Sequence, residues 1–256
     1  NLGSIVQDSL GNVLRYIRPV VVMDEGHKAF STKALETLYG FNPCFLLELS
    51  ATPKDRIKDQ PPRWANWLVD VRGTELAREE MVKLPINLKV KGGDDWKDCL
   101  RDALDLLNRL QTSADAVMAN TDRYIRPIML VQVERTGKDQ RESGHIHAED
   151  AKDFLLSAGM AEREIAIKSA EVNDLEGRDL LSPTCSIRFI ITKQALQEGW
   201  DCPFAYVLCA LAANHNMRAM TQLVGRVLRQ PHAQRTQVQP LDESYVVCHH
   251  AQTIVV

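Results

Sequence analysis

The chain has 256 residues, 45% hydrophobic, 25% charged and 6% aromatic, a balance that excludes a disordered or collagen-like polymer. Its 31 basic side chains against 34 acidic ones leave a net charge of −3, which excludes a histone-like polycation but not a local nucleic-acid groove. No apolar run approaches the ~18 residues of a membrane span, and the opening Asn1-Leu-Gly-Ser4 has neither an initiator Met nor a basic leader, so an internal cut is the expectation.

At roughly 100–200 residues per domain the length predicts two domains or one large one. Apolar runs of strand length alternate with helical patterns, which predicts an α/β fold with buried parallel strands. The first runs, Pro19–Met23 and Phe45–Leu49, end at Asp24-Glu25 and at Ser50-Ala-Thr-Pro53. Val69 to Val90 reads as a connector that closes in a short extended piece after Pro85. From Asp94 the pattern turns helical, with Leu100, Ala103, Leu104, Leu107 and Leu110 on one stripe. Further strands are expected at Ile128–Val133, Ile165–Lys168, Ile187–Thr192, Ala205–Cys209 and Ser244–Cys248. The boundary falls between residues 84 and 85. Residues 85–256 hold enough strands for a whole sheet, whereas two parallel strands in 1–84 cannot close a core, so the first domain reads as truncated at its N-terminus.

Six cysteines (Cys44, Cys99, Cys185, Cys202, Cys209, Cys248) form no Cys-x-x-Cys pair and read as buried free thiols of a reducing compartment. His145 with His147, and His249 with His250, lack partners at metal-ligand spacing and read as solvated side chains.

Four constellations carry chemistry. Asp24-Glu25-Gly26-His27 ends a strand, where open α/β sheets bind ligands; one carboxylate can hold Mg²⁺ while its neighbour deprotonates a water, although a solvated strand end fits equally. Ser50 and Thr52 can sense a phosphate, or simply close a turn before Pro53. In Gln222-Leu-Val-Gly225-Arg226-Val-Leu-Arg229, a helix would place Gln222, Arg226 and Arg229 on one stripe suited to a polyphosphate, with a solvated charged face as the bland alternative. Glu198-Gly199-Trp200-Asp201 reads as a donor-rich turn, with Trp200 as a core anchor.

Taken in order, Asp24-Glu-Gly-His27, Ser50-Ala-Thr52 and Gln222-x-x-Gly-Arg-x-x-Arg229 resemble motifs II, III and VI of superfamily-two helicases and translocases. Ala195 to Pro203 together with Gln222 to Pro231 is most similar to the restriction (Res) subunits of type III restriction–modification enzymes. The resemblance implies two RecA-like parallel-sheet domains, the first truncated and the second complete, with ATP bound between them and double-stranded DNA across both. It implies Asp24 as the Mg²⁺ carboxylate, Glu25 as the base, and Arg226 and Arg229 as fingers on the γ-phosphate. Gly199, Asp201 and Gln222 would contact the nucleotide, and His27, Ser50, Thr52 and Thr192 would couple it to DNA. A modification (methyltransferase) subunit would be the protein partner, the prokaryotic cytoplasm the location, and no membrane is implied. Glu48 departs from the family, which usually has Gly near that strand end; if buried, it needs a partner.

Two parts of such a motor are missing from the sequence. A phosphate-binding Gly-x-x-x-x-Gly-Lys-Ser/Thr loop is absent, since only Gly137 precedes a lysine and Asp139 follows it. No Pro-Asp…Asp/Glu-x-Lys nuclease constellation is seen either. The chain therefore reads as a middle fragment of an ATP-dependent motor. A helicase-fold scaffold without ATPase activity of its own is the alternative.

Overall fold

A computed structural model describes residues 9–26, 31–50, 56–57, 63–64, 66–92, 95–134, 145–169, 172–193, 201–212 and 223–249. The chain divides into two compact units, Asn1–Asp70 and Val71–Val256.

In the first unit, helix α1 (Leu10–Ile17) is capped by Ser9, whose hydroxyl accepts from the Asn12 N–H at 3.2 Å. Strand β1 (Val20–Asp24) leads through α2 (Thr32–Gly40) to β2 (Phe45–Leu49), and the strands pair in parallel with Val20 opposite Phe45 and Asp24 opposite Leu49. Parallel pairing follows from the helical crossover between them. A small antiparallel pair follows, β3 (Arg56–Ile57) with β4 (Arg63–Trp64). The expectation of buried strands fails here. Val20, Val22, Phe45 and Leu49 lie on one face of the sheet and are 48–61% exposed. A two-stranded sheet is too narrow to bury the faces that parallel strands normally hide.

The second unit begins with α3 (Gly73–Arg78) and builds one sheet from β5 (Ile86–Val90), β6 (Ile128–Gln132), β7 (Ile165–Lys168), β8 (Phe189–Thr192), β9 (Ala205–Ala210) and β10 (Ser244–Cys248). Their order is β5-β10-β9-β6-β8-β7, with every pairing parallel. This is the expected α/β parallel-sheet architecture, and the predicted strands fall where the apolar runs placed them. The runs are continuous rather than alternating because β6, β8 and β9 are buried along their whole length. Helix α4 (Trp96–Thr121) spans 26 residues, about 39 Å. Asp95 caps its start by accepting from the Lys97 N–H at 2.9 Å. Its buried stripe contains all five predicted residues and extends through Ala114 to Val117. The shorter α5 (Ala148–Ser157) packs beside β8.

The boundary expected at 84/85 falls inside this unit. Residues 81–83 are hydrogen-bonded to 228–230: Lys83 N–H donates to the Leu228 carbonyl at 2.5 Å, and Gln230 N–H to that of Met81 at 2.9 Å. Lys83 is fully buried. The connector from Val71 onward therefore belongs to the second unit, tied in through residues 81–83, which local sequence could not reveal because their partners lie about 145 positions away. Limited proteolysis is expected to leave a core starting near Val71. A fragment cut at residue 85 loses Lys83 and the 81–83 pairing, and it should melt well below one starting at Val71.

Candidate functional site

The register of the first unit brings two of the predicted motifs together. With Asp24 opposite Leu49, Ser50 follows β2 at the same carboxyl edge as Glu25. Asp24 is exposed, and its Oδ1 accepts the Glu25 N–H at 2.9 Å. Glu25 has φ 53°, a left-handed conformation that costs a residue with a side chain ~1–3 kcal/mol and is often kept at functional turns. Gly26 is buried, and a Cβ there would lie 3.0 Å from Glu48 Cβ. The turn after the carboxylates thus favours glycine, since any Cβ would press on the stem of Glu48. Glu48 itself is half-buried, which lessens the penalty its position suggested. His27 and Thr52 lie outside the described residues.

In the second unit, Thr192 closes β8 and is buried, with its carbonyl accepting from Val133 N–H at 3.0 Å. Successive strands β8 and β9 lie on opposite sides of β6, so the carboxyl ends of these three strands form a topological switch point, the usual ligand edge of an open sheet. Gly199, Trp200 and Gln222 lie outside the described residues.

The arginine segment differs from the expected single helix. Residues 223–227 are helical, with Leu223 and Val227 buried and Arg226 half-buried. The helix ends there, and Arg229 instead bridges Val82 in antiparallel fashion. The two arginines therefore do not share a helical stripe, because the connector strand competes for the backbone of 228–230. The side chain of Arg229 forms an ion pair with Asp201, so two of the predicted residues meet, each about half exposed. An exposed pair of this kind is worth only ~0–1 kcal/mol and can readily be exchanged for another anion.

The segment around Arg229 is held tightly although its side chain is not. The amide of Gln230 donates to Asp242 at 2.9 Å, and Asp242 also accepts from Thr236 N–H at 2.7 Å. The Arg123 guanidinium donates to the carbonyls of Arg235 at 2.8 Å and Gln234 at 2.9 Å. Lys83 Nζ donates to the carbonyls of Pro203 at 2.9 Å and Ala205 at 2.6 Å, and stands 3.8 Å from the centre of the Tyr206 ring. Burial drives the Lys83 pKa well below its ordinary range, with nearby Cys202 opposing the shift weakly. The same apolar surroundings push the Cys202 thiol up to about 11.

Lys83 was not singled out by sequence reading, since a lysine in a connector looks like a solvated charge. Its only local signal is the apolar flank, Met81-Val82 before it and Leu84-Pro85 after it. Gln132 was also missed. It ends β6 at the switch point, 4% exposed, and its side-chain oxygen has no hydrogen-bond partner among the described residues. Two histidines expected in solvent are buried: His147, which caps α5 by accepting from Glu149 N–H at 3.2 Å, and His249. Of the cysteines, Cys44 is exposed and Cys185 intermediate, while Cys99, Cys202, Cys209 and Cys248 are buried free thiols as expected.

Among solved structures, the chain is similar to the ATP-dependent Type ISP restriction-modification enzyme LlaBIII bound to DNA, with a TM-score of 0.44 and 12% identity. The match covers 94% of this chain and 19% of that one. No family model and no curated protein matches the chain. No described helix is long and apolar enough to cross a membrane.

Two measurements test this local chemistry. Because the folded chain releases the Lys83 proton at a lower pH than the unfolded chain does, the unfolded state binds more protons between the two pKa values. Stability from this group therefore rises with pH through that window and levels off above ~10.4. The unfolding free energy of the wild type minus that of Lys83→Met should increase as pH rises toward the unfolded lysine pKa of ~10.4 in denaturant titrations. Separately, a Cβ at Gly225 would meet open space. Gly225→Ala should thus raise stability by up to ~1 kcal/mol, read from the same titrations.

Proposed function

We propose that the chain forms part of an ATP-dependent DNA motor, the translocase or helicase of a restriction–modification enzyme, with the type III Res subunits as the finer assignment. The observation that carries this reading is the gathering of Asp24, Glu25 and Ser50 at one carboxyl edge of parallel strands, where α/β sheets bind nucleotides. The meeting of Asp201 with Arg229 in the second unit supports it.

In this reading ATP is the nucleotide, and the Asp24 carboxylate holds its Mg²⁺. Among the described residues no group of three His, Cys, Asp or Glu side chains could enclose a metal. One exposed carboxylate is nevertheless a fitting partner for Mg²⁺, which takes few protein ligands and completes its shell with water and phosphate oxygens. The ion would neutralise charge developing on the terminal phosphate. Glu25 orients and deprotonates the attacking water. Arg226 and Arg229 neutralise the transferring group, Arg229 exchanging Asp201 for phosphate at little cost because its ion pair is exposed. Gly199, Asp201 and Gln222 contact the nucleotide, while His27, Ser50, Thr52 and Thr192 link its state to double-stranded DNA. A methyltransferase subunit would supply sequence recognition.

A scaffold reading draws on one observation, the absence of a Gly-x-x-x-x-Gly-Lys-Ser/Thr loop from the 256 residues. Backbone amides and the lysine of that loop hold the β- and γ-phosphates, so the 256-residue chain alone should show no DNA-stimulated ATP hydrolysis. In the natural full-length polypeptide with Mg²⁺, ATP and duplex DNA, Arg229→Ala should slow hydrolysis ~10³–10⁵-fold with an unchanged melting temperature. Turnover near that of the wild type in both Arg226→Ala and Arg229→Ala would show that neither arginine acts on the transferring phosphate, whereas no turnover in the wild type would favour the scaffold.

A further inference from the structure

We propose that Lys83 is a positioning residue that sets Asp201 against Arg229. The inference rests on the reading of Arg229 given above. Arg229 stands on a backbone segment whose neighbour Leu228 accepts the Lys83 N–H at 2.5 Å. Asp201 stands on the segment that enters β9, and two residues further on the Pro203 carbonyl accepts the Lys83 side chain at 2.9 Å, followed by Ala205 at 2.6 Å. One residue thus bonds the chain beside each member of the pair, by main chain on one side and by side chain on the other.

The rest of its environment leaves Lys83 little freedom. It is fully buried, and the Tyr206 ring lies 3.8 Å from Nζ. The Ser244 hydroxyl is 3.2 Å from both the Lys83 and the Val227 carbonyls, and its single proton serves one at a time. The Met81 carbonyl holds Gln230 N–H at 2.9 Å, so Arg229 is flanked on both sides by bonds to the connector. Asp201 and Arg229 themselves are half exposed. Water competes for an exposed pair, and its partners hold their register only if the backbones beneath them are fixed. Lys83 provides that fixed base.

The test uses the 256-residue chain without nucleotide and reads rotation of the Arg229 guanidinium from its Nη–H line shapes in ¹⁵N-labelled protein. The signals are assigned by their loss in Arg229→Lys. Asp201→Asn should speed the rotation by up to about fivefold, the upper limit for an exposed ion pair. Lys83→Met removes the amine but keeps the stem, and it should reproduce the Asp201→Asn rate while the amide signals of β6 and β8 stay in place. Lys83→Arg keeps N–H donors at the end of a long stem and should restore slow rotation. Slow rotation in a folded Lys83→Met chain overturns the proposal. If Lys83→Met does not fold, Lys83→Arg decides, and fast rotation in it overturns the proposal equally. Since no nucleotide is present, these outcomes are independent of hydrolysis. Normal turnover in Arg229→Ala would sink the role given to Arg229 in hydrolysis and leave the positioning result standing.

Discussion

Parallel β-strands have no face that tolerates water well, and the two units of this chain meet that constraint very differently. In the second unit six parallel strands share one core with α4 and α5, and the central strands β6, β8 and β9 are buried from end to end. Closing that core fixes the carboxyl ends of the strands, and with them Gln132, Thr192 and the approach to Asp201. In the first unit the same kind of strand sequence leaves Val20, Val22, Phe45 and Leu49 half exposed, because two strands offer too little width to shield either face. The two carboxylates still reach a defined place, since parallel register alone puts Asp24 beside the end of β2.

Electrostatics in the second unit divides between a buried lysine and an exposed arginine. Lys83 is enclosed by carbonyls and an aromatic ring, where desolvation outweighs every favourable contact and lowers its pKa. Arg229 pairs with Asp201 in contact with water, where the interaction is weak and replaceable. The buried lysine holds its framework, while the exposed pair could exchange its anion at little cost. A buried Arg–Asp pair would resist that exchange, since removing one partner leaves an uncompensated charge costing ~3–5 kcal/mol.

Much of the architecture was legible in the sequence because hydrophobic periodicity is a local property. Continuous apolar runs identified β6, β8 and β9, and the 3.6-residue stripe from Leu100 to Leu110 identified α4. The placement of Asp24-Glu25 and Ser50 at strand ends was also readable, since each directly follows such a run. The arginine segment shows where local reading fails. Its apolar spacing fits a helix through Arg229, yet the helix ends at 227, because a backbone pairing with Val82 satisfies the same groups in another way. The burial of His147 and His249 was missed although Ile146 and Ala148 flank the first and the strand Ser244–Cys248 runs into the second, because a histidine's residue type weighs toward solvent.

The sequence by itself determined the fold class, the strands and helices of the second unit, the order of the motifs and the identity of the chemically capable side chains. These follow from residue type and spacing, which act within a few turns of chain. The tertiary structure alone decided that Lys83 is interior, that the connector belongs to the second unit, and that Arg229 faces Asp201 rather than a helical neighbour. Each depends on groups brought together across 28 to 161 positions. At such separations the partner is selected by closure of the core and satisfaction of buried backbone groups, and no local pattern records that selection.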